Sequence, residues 1–410
     1  MIKKNAITAQ SLTSLMLGLS MFLLAKPFFV WGRTWVYVLP VAGLIFFGVF
    51  CLAGRFNFRL LFGVAASWTC FFLVWLPFRE FDSFSLFLFV VFVPFSMVFF
   101  LSYRMVDAAI NVYVDLMILV AACSVISMLA WAVSLPFPTV VIDNEARTDV
   151  FYLYYLSLIL DSQTFGAAAI SVTRAVGWFQ EPGHFAIYLS VALIFCLERQ
   201  KRWQIIILSI ALALTFSTTA YILMAVIFTV ASGRYKNFLL LSMVGVFCWL
   251  IYYFVPPVTD LFNELFVNKL LGSSGGGFNA IDTLEARTKG ASFGIWPDFD
   301  EYFLGIGLGY FDYMGLVLSD YRRLIIGSGY LSFFALSLFF LYMLFVAVRA
   351  RDRVSINVVL LFFIAMTHRS WFFHQGFMWV LVGVVLVRLC WPASEEKKLL
   401  PRRCLSSNWV

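Results

Sequence analysis

Residues 108–132 read AAINVYVDLMILVAACSVISMLAWA, an apolar run interrupted by one carboxylate, Asp115. As a helix it is long enough to cross a hydrocarbon layer of about 30 Å, which takes roughly 20 residues. Similar runs recur along all 410 residues, 62% of which are hydrophobic and only 12% charged, with a mean hydropathy of +0.92. A soluble domain of this length does not need so much apolar surface. The expected fold class is therefore an all-α polytopic membrane protein with about twelve transmembrane helices and two long outer loops.

The spans are expected near residues 7–25, 35–53, 58–77, 83–101, 108–132, 182–197, 203–216, 219–232, 238–256, 328–348, 354–368 and 376–391. They divide the chain into a five-helix part (1–135), a first outer loop (136–181) and central helices (182–256). A large outer loop (257–327), three last helices (328–391) and a tail (392–410) complete it. Lys3 and Lys4 precede the first span, but no small-residue cleavage site follows it, so it is not expected to be a cleaved signal. The apolar segment 151–160, flanked by Asp149 and Asp161, would span only about 15 Å as a helix. It is expected to lie in the outer interface with its tyrosines at headgroup level.

Charge supports this alternation. One side collects 18 of the 29 Lys and Arg residues against the acidic Asp107, Glu198, Asp352, Glu395 and Glu396. The positive-inside rule makes that side, and both termini, cytoplasmic. The same bias accounts for the net charge of +7 without a nucleic-acid partner. Of the seven cysteines, six lie in spans and Cys404 in the tail, which argues against disulfides and a cysteine metal site. Gly305-x-Gly307-x-Gly309 lacks the strand and helix of a dinucleotide fold, a Walker lysine motif is missing, and no cofactor is expected.

Against this background, Arg174-Ala-Val-Gly-Trp-Phe-Gln-Glu-Pro-Gly-His184 places a guanidinium, a carboxylate, an imidazole and a helix-starting proline at the mouth of a span. Further along, two spans share residues 203–232 and turn at Ser217-Thr-Thr219, so each is short. The turn is either a hydroxyl-lined recess open to the outer side or a buried hairpin bonded to backbone carbonyls.

Arg174-x-x-Gly177-x-Phe179-x-Glu181-Pro182, then Ser217-Thr-Thr-Ala-Tyr221, Arg287 and Gly305-Ile-Gly-Leu-Gly-Tyr-Phe311, resembles the bacterial O-antigen polymerases over roughly residues 170–385. Related polysaccharide polymerases and O-antigen ligases share this plan. The resemblance implies a glycosyltransferase of the bacterial inner membrane that joins oligosaccharide repeat units carried on undecaprenyl diphosphate at the periplasmic face. It also implies a chain-length regulator as a partner. The ligase reaction, transfer to lipid A–core, is the enzyme alternative, and a lipid or oligosaccharide transporter is the non-enzyme one.

The residue chemistry suits such a reaction. A departing diphosphate gains negative charge that fixed guanidinium groups stabilise, which points to Arg174, Arg287 and Arg369 as diphosphate contacts. Glu181 is the expected general base or the group that orients one, with His184 as its alternative. The bland readings are a charge at a helix start for Glu181, an interfacial anchor for Arg174 and a backbone-bonded core histidine for His184. In ligases a histidine followed by a polar residue, with glycine further on, lies in the region of His374-Gln375 and Gly383, which makes His374 a third catalytic candidate. Trp178 and Tyr310 are candidates for stacking on sugar rings. Without close His-x-x-His or acidic pairing, no metal site is expected.

Overall fold

The computed structural model describes residues 2–27, 34–51, 61–75, 90–136, 138–143, 150–154, 156–162, 172–179, 181–232, 297–307, 321–368, 372, 373 and 375–390. These are mostly helical. In chain order the helices are α1 (Ile2–Leu24), α2 (Thr34–Cys51), α3 (Leu61–Trp75), α4 (Val90–Phe100) and α5 (Tyr103–Ala132). After a small sheet come α6 (Pro182–Glu198), α7 (Arg202–Leu214), α8 (Thr218–Ser232), α9 (Tyr321–Ala350), α10 (Arg353–His368) and α11 (Gly376–Cys390). Each overlaps a span expected from the sequence; the expected span 238–256 lies outside the described residues.

Two of these helices, α5 and α9, are long and apolar enough to cross a membrane, and nine shorter apolar helices accompany them. The outward faces are apolar as well. Along α9, Leu331, Phe334, Leu338, Leu341, Phe345 and Val348 recur at helical spacing and are all exposed. Exposed large apolar stripes of this kind are unusual on a protein facing water and suit helices set in hydrocarbon. Polar side chains turn inward or back on their own helix: Thr13, Ser14, Ser20 and Ser337 each donate to the carbonyl four residues earlier.

The all-α expectation needs correction. Residues 139–177 contribute an antiparallel sheet in the order β1 (Thr139–Asp143), β2 (Val150–Tyr154), β3 (Ser157–Ser162) and β4 (Val172–Gly177). The expected interfacial helix at 151–160 is thus two paired strands, with Phe151 opposite Leu160 and Leu153 opposite Leu158. Its aromatic residues and Ile159 fit a pleated surface, and alternation lets both faces be buried. Ile159 and Ala175 join the helical core, whereas Leu158, Leu160 and Val176 form a separate small cluster on the opposite face. The sheet packs on α5 and α6.

The two ends of the bundle differ chemically. At one end Arg388 of α11 donates to Asp352 in the α9–α10 turn at 2.8 Å, to Tyr103 at the start of α5 at 3.1 Å, and to Glu198 at the end of α6. Arg199 pairs with Asp107 at 2.7 Å. Five of these six residues, all but Tyr103, were assigned to one side by the charge pattern in the sequence.

The glycine-rich segment has a structural purpose. Helix α9 breaks at Gly329 (φ 91°, ψ 158°), which frees backbone groups on either side. Residues 302–307 run beside the break and take them up: the N–H groups of Ile306 and Gly307 donate to the carbonyls of Ile326 and Gly327, and those of Tyr330 and Leu331 donate to Tyr302 and Phe303. Backbone meets backbone here, so a Cβ on Gly305 would lie 2.5 Å from the Gly329 nitrogen. Both glycines also have positive φ. Gly329→Ala should therefore lower the unfolding free energy in detergent by roughly 2–4 kcal/mol, from strain and displaced backbone together. Gly383→Ala, where the new Cβ would sit 3.3 Å from Val98, should cost clearly less. Thermal or denaturant unfolding of both variants checks the ordering.

Candidate functional site

The segment from Arg174 to His184 is a strand, a tight turn and a helix start, and each residue of the pattern has a place in it. Strand β4 carries Arg174 across to the end of α7. There its Nε donates to the carbonyl of Thr215 at 3.2 Å and its Nη2 to that of Phe216 at 2.9 Å. These carbonyls end a helix, where the backbone dipole favours a cation. Gly177 ends the strand with φ 65°, and the ring of Phe185 lies so close that a Cβ would approach it to 2.8 Å. Phe179 then folds inward, stacked on Phe185 at 5.7 Å and against Tyr188 at 4.7 Å.

Glu181 is the N-cap residue of α6, in extended conformation, with Pro182 at the first helical position. Proline suits that position because its missing N–H would have no helical partner. The Glu181 carbonyl accepts the first helical bond from Phe185. Its carboxylate caps no backbone N–H and instead lies 3.3 Å from Nε2 of His184. Both residues are only 7% exposed, so the pair is nearly enclosed. A buried carboxylate against an imidazole is suited to accepting or passing a proton.

A second layer surrounds the pair. The ring of Phe372 stands edge-on to His184 at 6.1 Å and lies 5.2 Å from Tyr188. The Tyr188 hydroxyl bonds to Oε1 of buried Gln375, and Tyr113 of α5 donates to the Tyr188 carbonyl at 3.0 Å. Tyr188, Tyr113 and Phe372 were not singled out in the sequence. Tyr188 had a signal, since it lies one turn beyond His184 and two beyond Glu181 on the same helix face.

The turn between α7 and α8 completes this end of the bundle. Thr215, Ser217 and Thr219 are buried, and Thr215 Oγ1 donates to the Leu212 carbonyl at 2.7 Å. Tyr221 donates to the Ala213 carbonyl at 3.1 Å. Of the two readings of this turn, the buried hairpin matches the burial of Ser217 and Thr219, while the hydroxyl bonds to backbone carbonyls are made by Thr215 and Tyr221 on either side of it. Leu24 at the end of α1 lies against Gly376, which brings the following Lys26 to the same end. Burial, followed by the nearby charge of Arg323, pushes Lys26 below the ordinary lysine range.

Of the sequence candidates, Arg174, Trp178, Glu181 and His184 are thus placed on one strand–turn–helix unit. Trp178 uses its indole N–H to donate to the Leu156 carbonyl at 2.8 Å and stands edge-on to Phe22. Gly383 packs in α11 against Val98 and Phe95. Arg287, Tyr310, Arg369 and His374 lie outside the described residues. Among the described residues no group of three or more His, Cys, Asp or Glu side chains could hold a metal ion.

Compared with protein-family models, curated proteins and solved structures, the chain matches none. Local geometry and residue chemistry therefore carry the functional argument.

Arg174→Lys tests the part of that geometry that is structural. Lysine keeps the charge but lacks the rigid fork that reaches two adjacent carbonyls. The variant should lose about 1.5–3 kcal/mol of stability, the scale of hydrogen bonds to a charged donor. Amides around 215–219 should exchange faster with deuterium than those of the distant Arg388 cluster.

Proposed function

We propose that this chain is a multi-pass protein of a bacterial inner membrane that polymerises oligosaccharide repeat units carried on undecaprenyl diphosphate. In this reading the Arg388 end of the bundle is cytoplasmic and the Glu181 end faces the periplasm, with twelve spans and both termini inside. The exposed apolar helix faces support the membrane setting, and the excess of Lys and Arg, 18 of 29, on the side that includes Arg388 supports the orientation.

The observation that carries the chemical reading is the enclosed Glu181–His184 pair at the start of α6. Glycosyl transfer from a diphosphate lipid requires a base near the attacking sugar hydroxyl and positive charge near the leaving phosphates. Glu181, relayed or oriented by His184, takes the proton as the new glycosidic bond forms and the anomeric carbon–phosphate bond breaks. Arg174 holds the α7–α8 turn and adds positive charge at this end. Arg287 and Arg369 are the proposed direct contacts to diphosphate, His374 a further proton-transfer group, and Trp178 and Tyr310 sugar-facing aromatics.

A transporter reading would make use of the break in α9. That break is already satisfied by residues 302–307, which take up the carbonyls of Ile326 and Gly327 and the amides of Tyr330 and Leu331. The enclosed acid–base pair favours the enzyme.

The test is reconstitution of the purified chain in liposomes with undecaprenyl-diphosphate-linked repeat units, with and without lipid A–core. A ladder of lengthened polyprenyl-linked glycans without core is expected. Glu181→Gln and His184→Gln should each slow it by about 10²–10⁴-fold while the chain remains folded by its unfolding transition, the usual scale for losing a general base. Product only in the presence of core would replace the polymerase by a ligase, and sugar-lipid movement without any new glycosidic bond would remove the enzyme reading.

A further inference from the structure

Asp115 lies on the long apolar helix α5, eight residues beyond Asp107 and sixteen before Trp131. At the helical rise these separations are about 12 Å and about 24 Å. Asp107 is paired with Arg199 in the charged layer at one end of the bundle. Trp131 packs on Tyr152 and Tyr154 of the sheet at the other. Aromatic residues and charged groups mark the two edges of a membrane, so Asp115 falls between those edges.

The Asp115 side chain is exposed on the bundle and makes no hydrogen bond or ion pair with any described residue. From Asp115 towards Trp131 this helix face is apolar, and Asn111 precedes Asp115 by one turn. Leu119, Ile126, Leu129 and Val133 continue from it at steps of three, four or seven residues, and they are 51%, 50%, 61% and 67% exposed. This spacing forms one stripe along the helix, the pattern by which helices seat against one another. Other parts of α5 are already in use: Ala109 and Val112 receive Gly18 of α1 along one flank of the stripe, α7 packs on the helix as well, and Tyr113 reaches Tyr188 of α6.

An ionisable group at hydrocarbon depth is costly unless a partner meets it. We infer that the Asp115 stripe of α5 is a docking face for a transmembrane helix of another protein that presents one Lys or Arg at matching depth. The inference rests on the membrane-spanning part of the proposed function. Charge complementarity selects the occupant: a two-fold contact with a second copy through the same stripe would bring Asp115 against Asp115, like against like. A basic side chain forms a charge-assisted hydrogen bond with the carboxylate, while the apolar positions supply packing along the helix.

The test uses the full chain, donor-labelled and reconstituted in phosphatidylcholine vesicles. Acceptor-labelled Leu/Ala transmembrane peptides carry either one Lys about a third of the way through the bilayer or Leu at that position. Energy transfer should report the Lys peptide binding about tenfold more tightly than the Leu peptide. Asp115→Asn and Asp115→Leu should both remove that preference, with the unfolding midpoint and glycan assembly unchanged. Equal binding of the two peptides, or a preference that survives both substitutions, would overturn the inference. So would energy transfer between copies of the chain that depends on Asp115, which would make the occupant a second copy. Flotation and carbonate extraction are run alongside: a chain that fails to insert overturns the membrane reading itself, whereas an inserted chain without Lys preference overturns only the docking face.

Discussion

An apolar exterior leaves a polar group no partner outside the protein, and much of this structure follows from that constraint. Hydroxyls such as those of Thr13, Ser20 and Ser337 bond to the preceding turn of their own helix, and the charged side chains discussed here gather mainly at the ends of the bundle. Where α9 breaks, the four backbone groups at the break are taken up by residues 302–307 instead of being left open. Where α7 ends, the guanidinium of Arg174 arrives from a separate strand to bond two carbonyls. Paired sites recur in the polar interior, and the Glu181–His184 contact is one of them, although the hydroxyls of Ser124, Ser127 and Ser190 are buried without a hydrogen-bond partner among the described residues.

The helices were legible in the sequence because a helix set among apolar neighbours needs only length and apolarity, and runs such as 108–132 have both. The motif around Arg174 was legible in part. Pro182 at the first helical position marks the start of α6 without reference to anything distant. The destination of Arg174 was not readable, since its acceptors lie 41 and 42 residues away and are backbone atoms, which carry no side-chain signature. The sheet was missed for a related reason. A ten-residue apolar run satisfies strand and helix patterns alike, and what decides between them is the presence of partner strands at 139–143 and 172–177.

The pattern of residues from Arg174 to Pro182 also shows how structural and chemical requirements can share a segment. Gly177 and Phe179 fix the path of the turn and Pro182 fixes the helix, so the direction in which Glu181 points is set by neighbours that need not touch a substrate. His184 stands one helical turn further on and shares the same enclosure with Phe372. Rigid support of this kind lets two ionisable groups stay together at 3.3 Å in a nearly closed site.

Arg388 joins groups that lie far apart along the chain, from Tyr103 through Glu198 to Asp352. It is also the last of the four to be synthesised. Until α11 is inserted, the carboxylates of Glu198 and Asp352 lack the cation that brings them together, and the ends of α5, α6 and α9 are not yet tied at this point. Completion of the bundle is therefore coupled to the arrival of its final described helix, so that a chain stalled before residue 388 is distinguished from a finished one by unneutralised acid at its charged end.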